Sequence, residues 1–307
     1  MARDALVAGV DAGGTHTVAV LVDGDGGERA RIDGPGAALR QGAEDTSADL
    51  VIRMLDDAAR QAGGTAIDAL VVGAAGAGHA PTRAAFTAGL LSRGAPPRTH
   101  VVTDAEAAFA SAFGDGPGVL LLAGTGSIAL ARDPAGAPHR AGGWGWRIGD
   151  EGSGFAMGRA GVAAVCQALD GRGPVTVLRD VLPAAAGVAD PDSLIVWARE
   201  AAPAAVAALG AAVQDAARQG DPVASAIVQG AARDLLAHVL ALQAHFPATA
   251  PTPVILAGGA LRHGGALREA VGELAGRSAR LEIVERSIDA ARGAAWLARR
   301  LLSGAVS

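Results

Sequence analysis

The chain contains no lysine, no asparagine and no tyrosine, so all 26 of its basic residues other than histidine are arginine. A phosphate loop of the G-x-x-x-x-G-K-[ST] type is therefore excluded, and so is a lysine Schiff base. Those three residues use AT-rich codons, and the bias reads as a GC-rich genome rather than as chemistry. The single Cys166 rules out an internal disulfide and a cysteine-rich metal centre. At helical spacing with Val162 and Leu169, it reads as packed core. No uninterrupted apolar run reaches the roughly 18 residues that span a bilayer, and no membrane partner is expected. Net charge is −5 with no long basic run, which argues against nucleic acid as a partner. The opening residues Met1-Ala2-Arg3-Asp4 lack a signal-peptide pattern, so a cytoplasmic location is expected.

What is present is apolar and rich in glycine. Half of the 307 residues are hydrophobic and 44 are glycine. That is enough for one large or two medium domains with a sizeable core. The chain is organised around Gly118 to Ser153. Val119-Leu120-Leu121-Leu122-Ala123 is apolar on both faces, as a buried central strand is. It leads into Gly124-Thr125-Gly126-Ser127, a second strand, and then Gly142-Gly143-Trp144-Gly145-Trp146-Arg147-Ile148-Gly149-Asp150-Glu151-Gly152-Ser153. Glycines flanking a hydroxyl residue expose backbone N–H groups and let the chain approach an anion closely.

The opening of the chain looks like a first copy of this stretch. Leu6 to Val10 leads into Asp11-Ala12-Gly13-Gly14-Thr15 and the strand Thr17 to Val22. Asp23-Gly24-Asp25-Gly26 signals a turn, and Glu28 to Ile32 a third strand. A helix over about 44–61, a strand at 69–73, a helix at 81–91, a strand at 99–103 ending at Asp104, and a helix at 105–113 complete the first half. The second half runs through strands 119–123, 127–132 and about 138–142. Helical patterns follow at 155–169, 175–181, 192–199, 204–219 and 222–245. Strands at 254–257 and 280–284 bracket a helix at about 265–274, and a last helix covers 289–302. The domains read as 1–116 and 117–307, the second with a helical insert at about 154–247; the last helix is a candidate to pack back on the first domain.

A three-strand meander followed by alternating helices and strands, written twice, is an α/β layout of two ribonuclease-H-like domains. At this point five motifs carry a resemblance over nearly the whole chain. Asp11-Ala12-Gly13-Gly14-Thr15 resembles the first phosphate motif of the superfamily of sugar kinases, heat-shock chaperone ATPases and actin. Thr103-Asp104-Ala105 resembles its catalytic-aspartate motif, Gly124-Thr125-Gly126-Ser127 its second phosphate motif, and Ala257-Gly258-Gly259-Ala260 its adenosine motif. Gly142-Gly143-Trp144-Gly145 with Gly149-Asp150-Glu151-Gly152-Ser153 narrows the likeness to N-acetylglucosamine kinase and the benzoyl-CoA-reductase-activator type ATPases. Each motif alone is weak, but five in order at fitting spacings are specific.

The resemblance implies an actin-like ATPase fold with an interdomain cleft, ATP and Mg²⁺ as cofactors, a small-molecule sugar as substrate, and a homodimer. It assigns Mg²⁺ to Asp11, a role that a lone carboxylate at a strand end can fill because Mg²⁺ keeps several waters. Gly13, Gly14, Thr15, Gly124, Thr125, Gly126 and Ser127 would hold phosphates. Gly258, Gly259 and, less directly, Gly220 would lie on the adenosine side. Asp104 would be the general base and a sugar contact, with Gly143, Trp144, Gly145 and Asp150 around the sugar. Each position also has a plainer reading. Asp11 to Thr15 and Gly124 to Ser127 suit ordinary hairpin turns, Asp104 suits a helix N-cap, and Trp144 and Trp146 suit packing. His16, His79 and His263 show no metal-ligand spacing.

The implied reaction is transfer of the γ-phosphoryl of ATP to a sugar hydroxyl, first the 6-hydroxyl of N-acetylglucosamine, next that of glucosamine or another hexose. An ATPase that activates a reductase would need bridging cysteines, for which Cys166 alone is insufficient. A non-catalytic sugar sensor would not need both Asp11 and Asp104. In one respect the chain departs from the family pattern. The resembled kinases carry a sugar-contacting Asn after the third strand, whereas Ala38 is the nearest counterpart here, with Arg40 or Gln41 as substitutes, so the exact sugar stays open.

Overall fold

We describe the chain from a computed structural model covering residues 5–304; the opening Met1 to Asp4 lie outside the described residues. The chain divides into two compact units. One is the chain up to Asp115 together with the residues from Ser287 onward; the other is Gly116–Arg286.

In the first unit, β1 (Leu6–Ala12), β2 (His16–Asp23) and β3 (Glu28–Pro35) form an antiparallel meander. β4 (Ala69–Ala74) and β5 (Thr99–Thr103) extend the sheet in parallel, giving the order β3-β2-β1-β4-β5. Side chains alternate across a strand, and both faces here are covered. Ala8 and Val10 join Leu70, Val72 and Phe86 in a core under α1 (Glu44–Gln61) and α2 (Ala80–Ser92). Val7 joins Val20, Val71 and Ala107 in a second core under α3 (Asp104–Phe113) and the last helix, Ala290–Leu302. Gly9 is what brings that last helix in so closely. A Cβ at Gly9 would fall 2.1 Å from the Ala295 nitrogen, so the strand meets the helix backbone directly.

The second unit repeats the plan. β6 (Gly118–Ala123), β7 (Ser127–Arg132) and β8 (Pro138–Gly142) form the meander, while β9 (Thr252–Ala257) and β10 (Leu281–Ile283) add in parallel, in the order β10-β9-β6-β7-β8. Between β8 and β9, where the first unit has the single α1, the second unit carries five helices. These are α4 (Gly154–Leu169), α5 (Leu178–Ala186), α6 (Pro191–Glu200), α7 (Pro203–Arg218) and α8 (Pro222–Gln243). α9 (Ala266–Ala275) joins β9 to β10, and the last helix is α10.

One expectation needs correction. The helix expected at 175–181 is α5, displaced to Leu178–Ala186 and running through Pro183. Its start is fixed from a distance, because buried Asp221 accepts the Val177 N–H at 2.9 Å and the Thr176 hydroxyl at 3.0 Å. Those bonds hold the preceding residues out of the helix. Among the described residues α8 is long and apolar enough by length and composition to cross a bilayer, although Arg233 and Asp234 interrupt it. Its apolar residues Val228, Ala232, Leu235 and Val239 are buried in the core of the second unit.

Candidate functional site

In the first unit the candidate acids share one edge of the sheet. Asp11, next to last in β1, is in register with Gly73 of β4, and Gly73 lies beside Val102 of β5. Asp104 follows two residues on, so both carboxylates leave the carboxyl ends of parallel strands. Ligands of open α/β sheets bind at such ends. The turn after Asp11 is closed by Gly13 donating its N–H to the His16 carbonyl at 3.0 Å. The space where a Cβ of Gly14 would sit holds no heavy atom within 4 Å, and both Gly14 and Thr15 are exposed. The chain after β3 lies against this turn, with the Ala38 N–H on the Gly13 carbonyl at 3.0 Å and the Leu39 N–H on the Ala75 carbonyl at 2.8 Å. Ala38 thus stands beside the turn as its place in the sequence suggests, while Arg40 and Gln41 are exposed.

Asp104 is the first residue of α3 and does not cap it. The cap is Thr103, whose Oγ1 accepts the Glu106 N–H at 3.2 Å while the Glu106 carboxylate accepts the Thr103 N–H at 2.7 Å. Thr103 and Glu106 together satisfy the helix start, which the plainer reading had given to Asp104. Asp104 is exposed as a residue, and its carboxylate takes a single local bond, from the Ala105 N–H at 3.0 Å. Desolvation by the surrounding protein pushes its pKa upward, against that bond.

Asp11 is pushed up to about 6, first by burial and then by the charges of Asp104 and Asp289, with His16 acting in the opposite sense. Asp289, the N-cap of α10, is tied to Arg31 at 2.6 Å. Crowded negative charge with no arginine on Asp11 itself is the electrostatic setting in which a divalent cation is stabilised. The residues therefore fit Mg²⁺ held by Asp11 with water and phosphate oxygens.

In the second unit the turn Gly124 to Ser127 is locked on both sides. Gly124 donates to the Gly126 carbonyl at 2.9 Å, and its own carbonyl accepts the Gly154 N–H at 2.9 Å. Ser127 Oγ donates to the Glu151 carbonyl at 2.7 Å, and the Gly143 N–H reaches the Ser127 carbonyl at 3.0 Å. Asp150 is buried and accepts the Gly145 N–H at 3.2 Å. Among the described residues it is the one non-glycine with positive φ, at 58°, a conformation that Asp tolerates better than most side chains. A Cβ at Gly126 would lie 2.5 Å from its Oδ2. Asp150 therefore joins the 124–127 turn to the 143–145 loop, a contact that sequence spacing did not reveal. Trp144 is 64% exposed, with the Arg140 guanidinium 4.3 Å from its ring centre. Trp146 packs on Phe155.

Beside the same turn lies a cavity of about 400 Å³. It is lined by Gly124 and Thr125, by Gly259 and Ala260 after β9, by Gly154 and Met157 of α4, by Ala204, Ala207, Gly210, Ala211 and Gln214 of α7, and by Arg262. Gly258 precedes it with φ 99°, and a Cβ there would strike the Ala123 carbonyl at 2.3 Å. Gly220 does not line this cavity; it ends α7 with φ 91° and leads into Asp221, the cap of α8. The α7 wall was not apparent in the sequence, because small residues on a helix carry no motif.

Two like units, each with a meander-first five-stranded sheet and a glycine turn after its first strand, define the actin-like ATPase fold of two ribonuclease-H-like domains. The chain belongs to the BadF/BadG/BcrA/BcrD ATPase family, whose model matches residues 8–298. An N-acetyl-D-glucosamine kinase of Dictyostelium discoideum is 28% identical, over 94% of this chain and 96% of the relative. An N-acetylmuramic acid/N-acetylglucosamine kinase of Clostridium acetobutylicum is 32% identical, over 57% of this chain and 58% of that relative's length. Among solved structures, a Chromobacterium violaceum protein described as a candidate N-acetylglucosamine kinase superposes with a TM-score of 0.79 at 34% identity, covering 97% of this chain and 99% of that one. A ROK family glucokinase from Streptomyces griseus, solved with glucose and AMPPNP, shares the fold at a TM-score of 0.56 and 21% identity, over 96% of this chain and 99% of that one.

Proposed function

We propose that the protein is a cytoplasmic, ATP-dependent amino-sugar kinase that phosphorylates the 6-hydroxyl of N-acetylglucosamine or a close relative. The reading is carried by Asp104, an acid that lies at a strand end and is spared from capping its own helix by Thr103 and Glu106. Relatives named as kinases of N-acetylglucosamine support the substrate class.

In this reading Asp104 accepts the proton of the sugar hydroxyl and orients its oxygen. That oxygen bonds to the γ-phosphorus as the bond to the β–γ bridging oxygen breaks and ADP leaves. A raised pKa suits Asp104 to the task, because a stronger base takes the proton more readily. Mg²⁺, held by Asp11 when bound, neutralises phosphate charge. Gly13, Gly14 and Thr15 form one glycine turn suited to phosphate, and Gly124 to Ser127 another. The cavity beside Gly124, with Gly259 on its wall, takes the adenosine. Gly143, Trp144 and Gly145 receive the sugar, and Asp150 holds their loop to the phosphate turn.

ADP release measured across a panel of sugars tests the reading, followed by NMR of the product. Release that depends on an amino sugar, with phosphate on O6, is the expected result. Sugar-independent release would mean a plain ATPase, and no release a sensor; either outcome removes the kinase reading.

A further inference from the structure

We infer that the phosphoryl-donor pocket does not read the purine edge, so that GTP and ITP also serve as donors. The inference rests on the assignment of the cavity beside Gly124 to the nucleotide.

A pocket distinguishes adenine from guanine by polar groups aimed at the 6-amino or 6-oxo edge. The walls of this one are almost bare of them. α7 contributes Ala204, Ala207, Ala208, Gly210 and Ala211, facing Gly259 and Ala260. The mid-helix backbone groups of α7 are committed to their own i→i−4 ladder, and the one wall residue in its uncapped first turn is Ala204. Two polar side chains line the cavity away from Thr125. Gln214 is 1% exposed and held at both ends, its amide nitrogen donating to the Ala260 carbonyl at 3.1 Å and its Oε1 accepting the Leu267 N–H at 3.1 Å. Gln214 is thus spent on fixing the turn after β9 and has no surface left for a ligand. Arg262 donates to Asp215 Oδ1 at 2.9 Å, which draws its guanidinium toward the surface of α7. What remains is a smooth slot of small residues that accepts a flat ring by shape. Shape alone separates close analogues by about 10–200-fold at most, whereas a hydrogen-bonded edge does so by 10⁴ or more.

Sugar-dependent nucleoside diphosphate release is to be measured with ATP, GTP, ITP, CTP and UTP at saturating sugar. Displacement of a fluorescent ATP analogue by each nucleotide is measured in parallel without sugar. GTP and ITP are expected within about 200-fold of ATP in kcat/KM and in displacement, with the smaller pyrimidines weaker. Arg262→Ala is expected to leave the GTP-to-ATP ratio where it was. A GTP value more than about 200-fold below ATP overturns the inference, as does an Arg262→Ala variant that changes the ratio. Displacement by nucleotides without sugar-dependent turnover would count against the kinase reading and leave the base-indifferent pocket supported. ATP turnover with GTP excluded does the reverse.

Discussion

Thr103 and Glu106 cap α3 reciprocally, with the Glu106 N–H on Thr103 Oγ1 at 3.2 Å and the Thr103 N–H on the Glu106 carboxylate at 2.7 Å. Asp104, between them in sequence, is left with one bond from the next residue's N–H. Stability and chemistry at this strand end are therefore carried by different side chains. Asp104→Asn is expected to fold and to melt no lower than wild type, and to lose about 10²–10⁴-fold in kcat. Thr103→Ala is expected to cost about 1 kcal/mol of stability. Thermal melts and steady-state kinetics on the two variants check the division; an Asp104→Asn protein with wild-type turnover would remove Asp104 from the mechanism.

Asp11 sets a pH dependence whose sign is fixed. Its folded pKa of about 6 lies above the ordinary value of 3.8, so between these values the folded state binds more protons than the unfolded one. Stability of the metal-free protein therefore falls as pH rises through about 4 to 6, and the penalty is complete above that window. Asp11→Asn removes it. The variant is expected to be more stable than wild type at pH 7.5, by on the order of 1–3 kcal/mol, with the gain vanishing near pH 4. Denaturant melts in EDTA at several pH values measure this, and a variant less stable at pH 7.5 would contradict it.

Gly9 tests the attachment of the final helix. Gly9→Ala would place a Cβ 2.1 Å from the Ala295 nitrogen and 2.2 Å from the Ala291 carbonyl oxygen. Neither backbone atom can turn away. A loss of about 2 kcal/mol or more is expected, with earlier hydrogen exchange in residues 290–302. Unchanged stability would mean that α10 does not rest on β1 this closely.

Asp150 and Gly145 offer a kinetic test. Asp150→Asn keeps a residue that tolerates positive φ but weakens the acceptor for the Gly145 N–H. The sugar KM is expected to rise about tenfold, corresponding to roughly 1.4 kcal/mol, with a smaller effect on the KM for ATP. Equal effects on both would show that the loop and the phosphate turn fail together.

The sequence made the meander strands, both glycine turns and the place of Asp104 at a strand end legible, because local periodicity and turn chemistry decide them. Its failures were at long-range contacts. α5 begins three residues late because Asp221, more than forty residues away, captures Thr176 and Val177. The cap of α3 was ambiguous until Thr103 and Glu106 were seen to bond each other, since Thr, Asp and Glu all suit a helix start. The α7 wall of the cavity is alanine and glycine, a pattern that any packed helix can show. Gly220 shared the glycine signal of the site, but its φ of 91° serves the join from α7 to α8.

The initial rate of ADP release with and without N-acetylglucosamine, on wild type and Asp104→Asn at saturating ATP and Mg²⁺, bears most directly on the proposed chemistry. Sugar is expected to raise the wild-type rate by at least about 10²-fold and the variant's hardly at all. A wild-type rate indifferent to every amino sugar offered would contradict it.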